Sequence, residues 1–340
     1  MNILLLASHA VAEYDDLRML TDLGYDVFAP GGYEVPSRSG EGIRPALPDA
    51  PHHPDLVEAS NRKRAERGDP GEYIDWAKAD IPDEVLDWAD VIIAHHFLDR
   101  WVIPQWDRLR DKRVIWRTCG QSNPELERQM AHLRDDGLQI VRYSPREAYM
   151  PNYAGEDALI RFGKYPQDFP MWTGNDAVVG NVTQHMVQRG EACGYRFWMD
   201  ATRGLPVAPA GPGSEALHGG VGELSYERML AYLARTRVYL YTGTRPAPYT
   251  LGLMEAMLTG TPVVSIGPKA WGESWGGERL FEGHWLARPG YDHPDHARLL
   301  LTELLTDPVL ANDLSNSTRA FAIETFGIET VGAQWRKFIG

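Results

Sequence analysis

The sequence has 340 residues, 43% of them hydrophobic, which is more than one ordinary core needs and comfortable for two domains. Its 47 acidic against 34 basic residues give a formal net charge of −13, a balance that speaks against a duplex-wrapping nucleic-acid binder. No stretch approaches the roughly 18 apolar residues of a membrane span, so no stable membrane insertion is expected. The two cysteines, Cys119 and Cys193, have no metal-ligand spacing and read as unpaired thiols of a cytoplasmic protein.

In chain order, NILLLAS (residues 2–8) is a short apolar strand, with neither the basic flank nor the extended apolar core of a signal peptide. In AEYDDLRMLTDLG, Leu17, Leu20 and Leu23 recur at helical spacing and Gly24 closes the helix. YDVFAP is the next strand. A charged, Pro/Gly-rich region over about 31–80 reads as loop with one or two short helices. Then PDEVLDWA is a helix, DVIIAHH and KRVIWRTCG are strands, PELERQMAHLRDDG is a helix and LQIVRYS is a strand. RFGKYPQDFPMWTGND (161–176) has the composition of an interdomain linker.

The second half repeats the pattern. DAVVGNV is a strand, MVQRGEACGYRFWMDATRG is helical, and LPVAPAGPG reads as a strand running into a turn. SYERMLAYLARTR is an amphipathic helix with Met229, Leu230 and Leu233 on one stripe, followed by the strand VYLYTG. A helix from about Thr250, the strand TPVVSIG and the helix DHARLLLTELLTD follow, and a long helical tail ends the chain. Strands alternating with helices in short units predict an α/β protein with parallel sheets covered on both faces. We expect two Rossmann-like, doubly wound domains facing each other across a cleft. The predicted division is an N-terminal Rossmann-like domain over 1–163, a C-terminal Rossmann-like domain over 164–322, and a C-terminal helix over 323–340 that returns to the first domain.

The chemistry concentrates at a few places. Between the strand VYLYTG and the helix near Leu251, the turn TRPAPYT leads into helix N–H groups that have no internal partner, a natural anion site. Glu255 lies about one turn inside that helix, where a carboxylate can accept two hydrogen bonds from a diol or can simply favour the helix dipole. His95 and His96 close a strand at its carboxyl end, a position that favours a site over a structural histidine. Between the first strand and helix, ASHAVAEYDD offers His9, Glu13 and Asp15, as ligand contacts or as a solvated loop. In RTCGQS, Ser122 reads equally as an acceptor-side residue and as the N-cap of the next helix. The basic stretches NRKRAER (61–67) and DRLRDKRVIWR (107–117) read as solvated helix faces, with an anionic acceptor as the alternative.

PYTLGLMEAMLTGTPVVSIG (248–267) resembles the most recognisable segment of the retaining GT-B glycosyltransferases of the sucrose synthase/glycogen synthase-like group (glycosyltransferase group 1). SYERMLAYLARTRVYLYTG before it and the tail ending in QWRKF resemble the same family, so the likeness in element order spans most of the chain. The resemblance implies that Glu255 binds the nucleotide ribose and that amides of Tyr249, Thr250, Leu251, Gly252 and Leu253 meet the sugar or diphosphate. VGNVTQHMVQRG (179–190) resembles the family segment whose Arg and Lys neutralise the diphosphate. Arg189 stands at the Lys, Asn181 stands at the Arg, and Arg245 is a candidate to supply the missing charge. Ala247 stands where the family has a further glutamate on the donor sugar. The resemblance also implies that His95 reaches the donor sugar and reaction centre, and it puts His9, Glu13 and His96 on the acceptor side.

The sequence therefore predicts metal-independent, retaining transfer of a sugar from a nucleotide-diphosphate donor, with no cofactor beyond that co-substrate. The catalytic residues are His95 and Arg189. The acceptor is a small molecule, a glycan or a modified nucleobase in DNA. A non-catalytic nucleotide-sugar binding protein and a GT-B sugar-nucleotide epimerase are the alternatives.

Overall fold

A computed structural model of the chain describes residues 1–7, 9–30, 44–47, 50–51, 53–66, 81–95, 102–120, 122–271 and 290–340. They divide into two compact units: Met1–Lys164 with Ile328–Gly340, and Tyr165–Gly327.

Unit 1 is built on six parallel strands: β1 (Asn2–Leu6), β2 (Asp26–Phe28), β3 (Val91–His95), β4 (Arg113–Arg117), β5 (Gln139–Arg142) and β6 (Ala158–Leu159). Their order is β2-β1-β3-β4-β5-β6, so the chain reverses its direction of travel across the sheet between β1 and β3. Side chains alternate between faces along each strand, and the apolar runs are long enough to fill both. Leu4, Ile92, Val114 and Ile140 point to the face covered by helices Asp83–Trp88, Trp106–Leu109 and Pro124–Asp135. Ile3, Ile93, Ile115 and Val141 point to the other face, where Leu17 and Leu20 of helix Ala10–Asp22 pack beside Val331, Trp335 and Ile339 of helix Ile328–Ile339. That last helix is also pinned by Arg113, whose guanidinium donates to the carbonyls of Ile339 and Phe338 at 2.6 and 2.7 Å.

Unit 2 carries β7 (Asp176–Gly180), β8 (Thr236–Tyr241) and β9 (Val263–Ser265), parallel and in that order. The expected strand over LPVAPAGPG does not form. The segment runs beside β7 on the hydrogen bonds of Val179 N–H to the Pro206 carbonyl, Ala208 N–H to Val179 and Ala210 N–H to Asn181, but only as isolated bridges, Val207 to Val179 and Ala210 to Gly222. Helix Leu251–Thr259 is buried from Leu253 to Thr259 and packs on helices Tyr226–Arg235 and Pro308–Phe326. Gly260, at φ +87°, ends it in a left-handed conformation that suits glycine.

Among the described residues the basic stretches pair with acidic ones, and both reach the start of helix Asp83–Trp88. Arg62 pairs with Glu58 and Glu84, Arg108 with Asp83, and Arg117 turns inward. Among the described residues no helix is long and apolar enough to cross a membrane.

Candidate functional site

In unit 2, β8 delivers the chain to a turn that holds a cis Arg245–Pro246 peptide and ends at Thr250. Thr250 is the N-cap of helix Leu251–Thr259, and its hydroxyl accepts the Leu253 N–H at 3.4 Å. Leu251 and Gly252 are the first donors of the helix, beyond the reach of any i−4 carbonyl. A Cβ on Gly252 would stand 2.8 Å from Val182 Cγ2, so glycine is what lets the loop after β7 lie against the helix start. Glu255 is enclosed in the same helix, 3% exposed. Burial foremost, with the Glu255 charge among the lesser causes, pushes the Tyr239 hydroxyl up, and that hydroxyl accepts the Val182 N–H.

Two arginines stand at this corner. Arg189 is exposed at the end of helix Met186–Arg189. Its guanidinium donates to the Gln184 carbonyl at 3.5 Å, and its charge opposes the burial that raises the Cys193 thiol. Cys193 Sγ lies 4.0 Å from Thr244 Oγ1, and the Arg245 N–H donates to the Ala192 carbonyl at 2.7 Å. The Arg245 guanidinium donates to the Ala270 carbonyl at 3.2 Å. The half-buried Ala247 bridges back to Thr244 in this turn. The fold thus places Arg245 and Ala247 in the turn that ends at Thr250, and joins that turn to the segment following Arg189.

Asn181 and Tyr249 turn elsewhere. The Asn181 amide donates to Leu240 O at 2.8 Å and its oxygen accepts the Thr183 N–H at 2.6 Å, so the side chain shapes the loop after β7. The Tyr249 ring packs on Phe326, with centroids 5.5 Å apart.

In unit 1, charged side chains collect at the carboxyl ends of β1, β3 and β4. His95 and Arg117 are register partners across β3 and β4 and share the face covered by helix Ala10–Asp22. Asp16 of that helix reaches both: its Oδ2 lies 2.9 Å from His95 Nε2 and 2.6 Å from Arg117 Nε. All three are buried, and they meet at ion-pair distance more than in aligned hydrogen bonds. Burial favours the neutral acid, but Arg117 and then His95 outweigh it and hold the Asp16 carboxyl below the usual carboxylate range. Arg117 also donates to Ile160 and Arg161 carbonyls and lies between the rings of Phe162 and Trp335, 4.6 and 5.0 Å from their centroids.

Beside this group Asp15 pairs with Lys164 at 2.6 Å, and Glu13 is buried. The His9 pKa is lowered, first by the crowding of surrounding protein and then by the charges of Lys164, His95 and Arg44. The residue is nonetheless exposed, with protein crowding it on several sides. His96 lies outside the described residues. Ser122 is not the N-cap: Asn123 caps helix Pro124–Asp135, and the Ser122 hydroxyl donates to Glu127 at 2.6 Å. The longer side chain of Asn123 reaches the N–H groups of Glu125 and Leu126 directly.

No protein-family model and no curated protein matches the sequence. In structure the chain is similar to a sucrose-phosphate synthase from Thermosynechococcus elongatus, with a TM-score of 0.65 and 15% identity over 100% of this chain and 98% of that one. It is similar to Anabaena HepE in complex with UDP and glucose, with a TM-score of 0.63 and 13% identity over 100% and 99%. The chain has the GT-B fold. An α-glucosyltransferase in complex with UDP and a 13-mer DNA containing an HMU base shares that fold with a TM-score of 0.59 and 10% identity over 99% and 98%. Likeness at these identities establishes the GT-B architecture of α/β units with parallel sheets.

Asp16 and Lys164 were missed in the sequence, and Arg117 figured only in a basic stretch and as the first residue of RTCGQS, a candidate acceptor-side segment. A signal existed for Asp16 and Arg117. Asp16 sits four residues after Ala12 and four before Leu20, a charge on the buried stripe of its helix. Arg117 has the same strand parity as Ile115, so it points into the core face.

Proposed function

We propose that the protein transfers a sugar from a nucleotide-diphosphate donor to an acceptor hydroxyl, with retention of configuration and without a metal. The supporting observation is the corner of unit 2, where a buried carboxylate lies one turn inside a helix, Arg245 sits in the turn before it, and that turn is bonded to the segment following Arg189. Unit 2 holds the donor. Glu255 accepts hydrogen bonds from the ribose diol. The N–H groups of Leu251 and Gly252, with Arg189 and Arg245, bind the diphosphate and stabilise its charge as it leaves. Arg245 supplies the charge that Asn181 lacks, because Asn181 is committed to its own loop. Unit 1 presents His95 to a sugar hydroxyl, and His9 and Glu13 belong to the acceptor side. The leaving phosphate takes the proton of the incoming hydroxyl, as the family resemblance implies.

The UDP in two of the similar structures makes a uridine nucleotide the first donor to test, and the HMU-containing DNA of one keeps a modified nucleobase among the acceptors, beside a small molecule or a glycan. The free thiols Cys119 and Cys193 suit a cytoplasmic location. The test is a thermal-shift screen against UDP-, GDP-, ADP- and TDP-linked sugars, followed by assay for slow donor hydrolysis. Stabilisation by one nucleotide class with release of sugar supports the reading; stabilisation by none contradicts it.

A second reading, binding of a nucleotide-sugar without transfer, is favoured by Ala247 and by the inward-turned Asn181. It predicts stabilisation with no release of sugar under any acceptor.

A further inference from the structure

His95 Nδ1 is buried and has no hydrogen-bond partner among the described residues, while Nε2 faces a carboxylate held ionised by Arg117. A carboxylate oxygen at 2.9 Å repels a nitrogen lone pair, so the hydrogen of the neutral ring sits on Nε2. Nδ1 is then an acceptor with nothing to accept. A buried acceptor without a donor is destabilising, and a hydroxyl placed against it gains an interaction that the unliganded protein lacks. His95 also ends β3 beside β1, where the sheet reverses its winding and where doubly wound sheets take ligands.

We infer that Asp16 is a positioning residue: it fixes the His95 tautomer and ring so that Nδ1 accepts a hydroxyl of a polyhydroxy ligand, the sugar of the proposed reaction. The inference rests on the proposed function for the ligand, but not for the tautomer. Arg117 completes the device. Its guanidinium is held by two carbonyls and two rings, so Asp16 has a fixed cation at its back and cannot swing away from His95.

The experiment has two arms. In the first, histidine side chains of the full chain are labelled with 15N, and His95 is assigned by loss of its signals in His95→Gln. The expected result for the neutral ring, without substrate, is hydrogen on Nε2 and a bare Nδ1. Hydrogen on Nδ1, or on both nitrogens, overturns the inference.

In the second arm, Asp16→Asn, His95→Gln and the double variant are compared for turnover. Asp16→Asn is expected to lower kcat by about 10- to 100-fold with donor KM nearly unchanged, the scale of losing an outer partner that orients a functional histidine. The double variant is expected to be no worse than His95→Gln alone, because Asp16 acts through His95. Additive losses overturn the inference in favour of a purely structural pair. Should Asp16→Asn fail to fold, the tautomer in the unmodified chain still decides. A chain that transfers no sugar refutes the reading of the reaction, while the first arm still reports on Asp16.

Discussion

Two buried arginines lie on opposite faces of the same sheet, and they differ in how completely their surroundings are paired. On one face Arg142 makes a two-pronged contact with Glu127 at 2.8 and 2.7 Å, and the same carboxylate accepts Ser122 and the Ala154 N–H at 2.6 and 2.9 Å. Every lone-pair direction of Glu127 that matters is met, and the guanidinium lies between Trp116 and Tyr153. On the other face Arg117, Asp16 and His95 form a similar knot, but one ring nitrogen is left over. A closed network holds a fold together; an open one in the same kind of sheet is prepared for something else.

That contrast can be broken by mutation. Glu127→Ala leaves the Arg142 charge buried and unpaired, so it should cost about 3–5 kcal/mol of stability, measured by denaturant unfolding of the full chain. A cost below about 1 kcal/mol would mean that the closed network contributes far less than its pairing suggests.

In unit 2, Glu255→Ala should weaken nucleotide binding by about 10- to 100-fold, or ~1.4–2.7 kcal/mol by calorimetry, while leaving the Arg142 face untouched. Equal affinity in variant and parent would remove the ribose role.

The third test uses pH. Burial raises the Glu147 carboxyl to about 7, against the opposing effects of Arg142 and of the Thr118, Ser144 and Tyr143 hydrogen bonds. Its folded value is above its unfolded one, so its stabilising contribution is complete below the ordinary carboxylate range and is lost as pH rises through about 7. Glu147→Gln should therefore narrow the fall in unfolding free energy between pH 5 and pH 8. An identical pH dependence in the two chains would place the carboxyl in a wetter setting.

The smallest effects come from two helix caps. Asn123→Ala and Thr250→Ala should each cost about 1 kcal/mol of stability. Only Thr250→Ala should also weaken nucleotide binding, because only that helix start belongs to the proposed donor site. Matching losses of affinity would dissolve the distinction between a cap that builds and a cap that binds.

How much of this was legible in the sequence follows from the range of the forces involved. The order of strands and helices in unit 1, and the helix after Thr250, were readable because apolar alternation and helical spacing are local signals. LPVAPAGPG was read as a regular strand, but it pairs with the β7 segment only through isolated bridges. Glu255 and Arg245 could be singled out because they lie in or beside one continuous stretch of resemblance, and Arg189 because a second stretch, 179–190, resembles the same family. The Asp16–His95–Arg117 knot joins three elements up to 101 positions apart. No local pattern announces such a meeting, although a charge on each buried stripe could have raised the question. Asn181 shows the converse: its position was read correctly as the end of a strand, but whether its amide turned to a ligand or to the backbone depended on the Leu240 carbonyl of the neighbouring strand.

The central claim is that the start of helix Leu251–Thr259 holds the diphosphate of the donor while Glu255 grips its pentose. A crystal structure of the full chain grown with a nucleoside diphosphate tests it most directly. The account predicts ribose hydroxyls about 2.6–3.2 Å from the Glu255 carboxylate, with phosphate oxygens on the Leu251 and Gly252 N–H groups and beside Arg189 or Arg245. A nucleotide seated elsewhere, or Glu255 still enclosed and out of contact with a bound nucleotide, would contradict it.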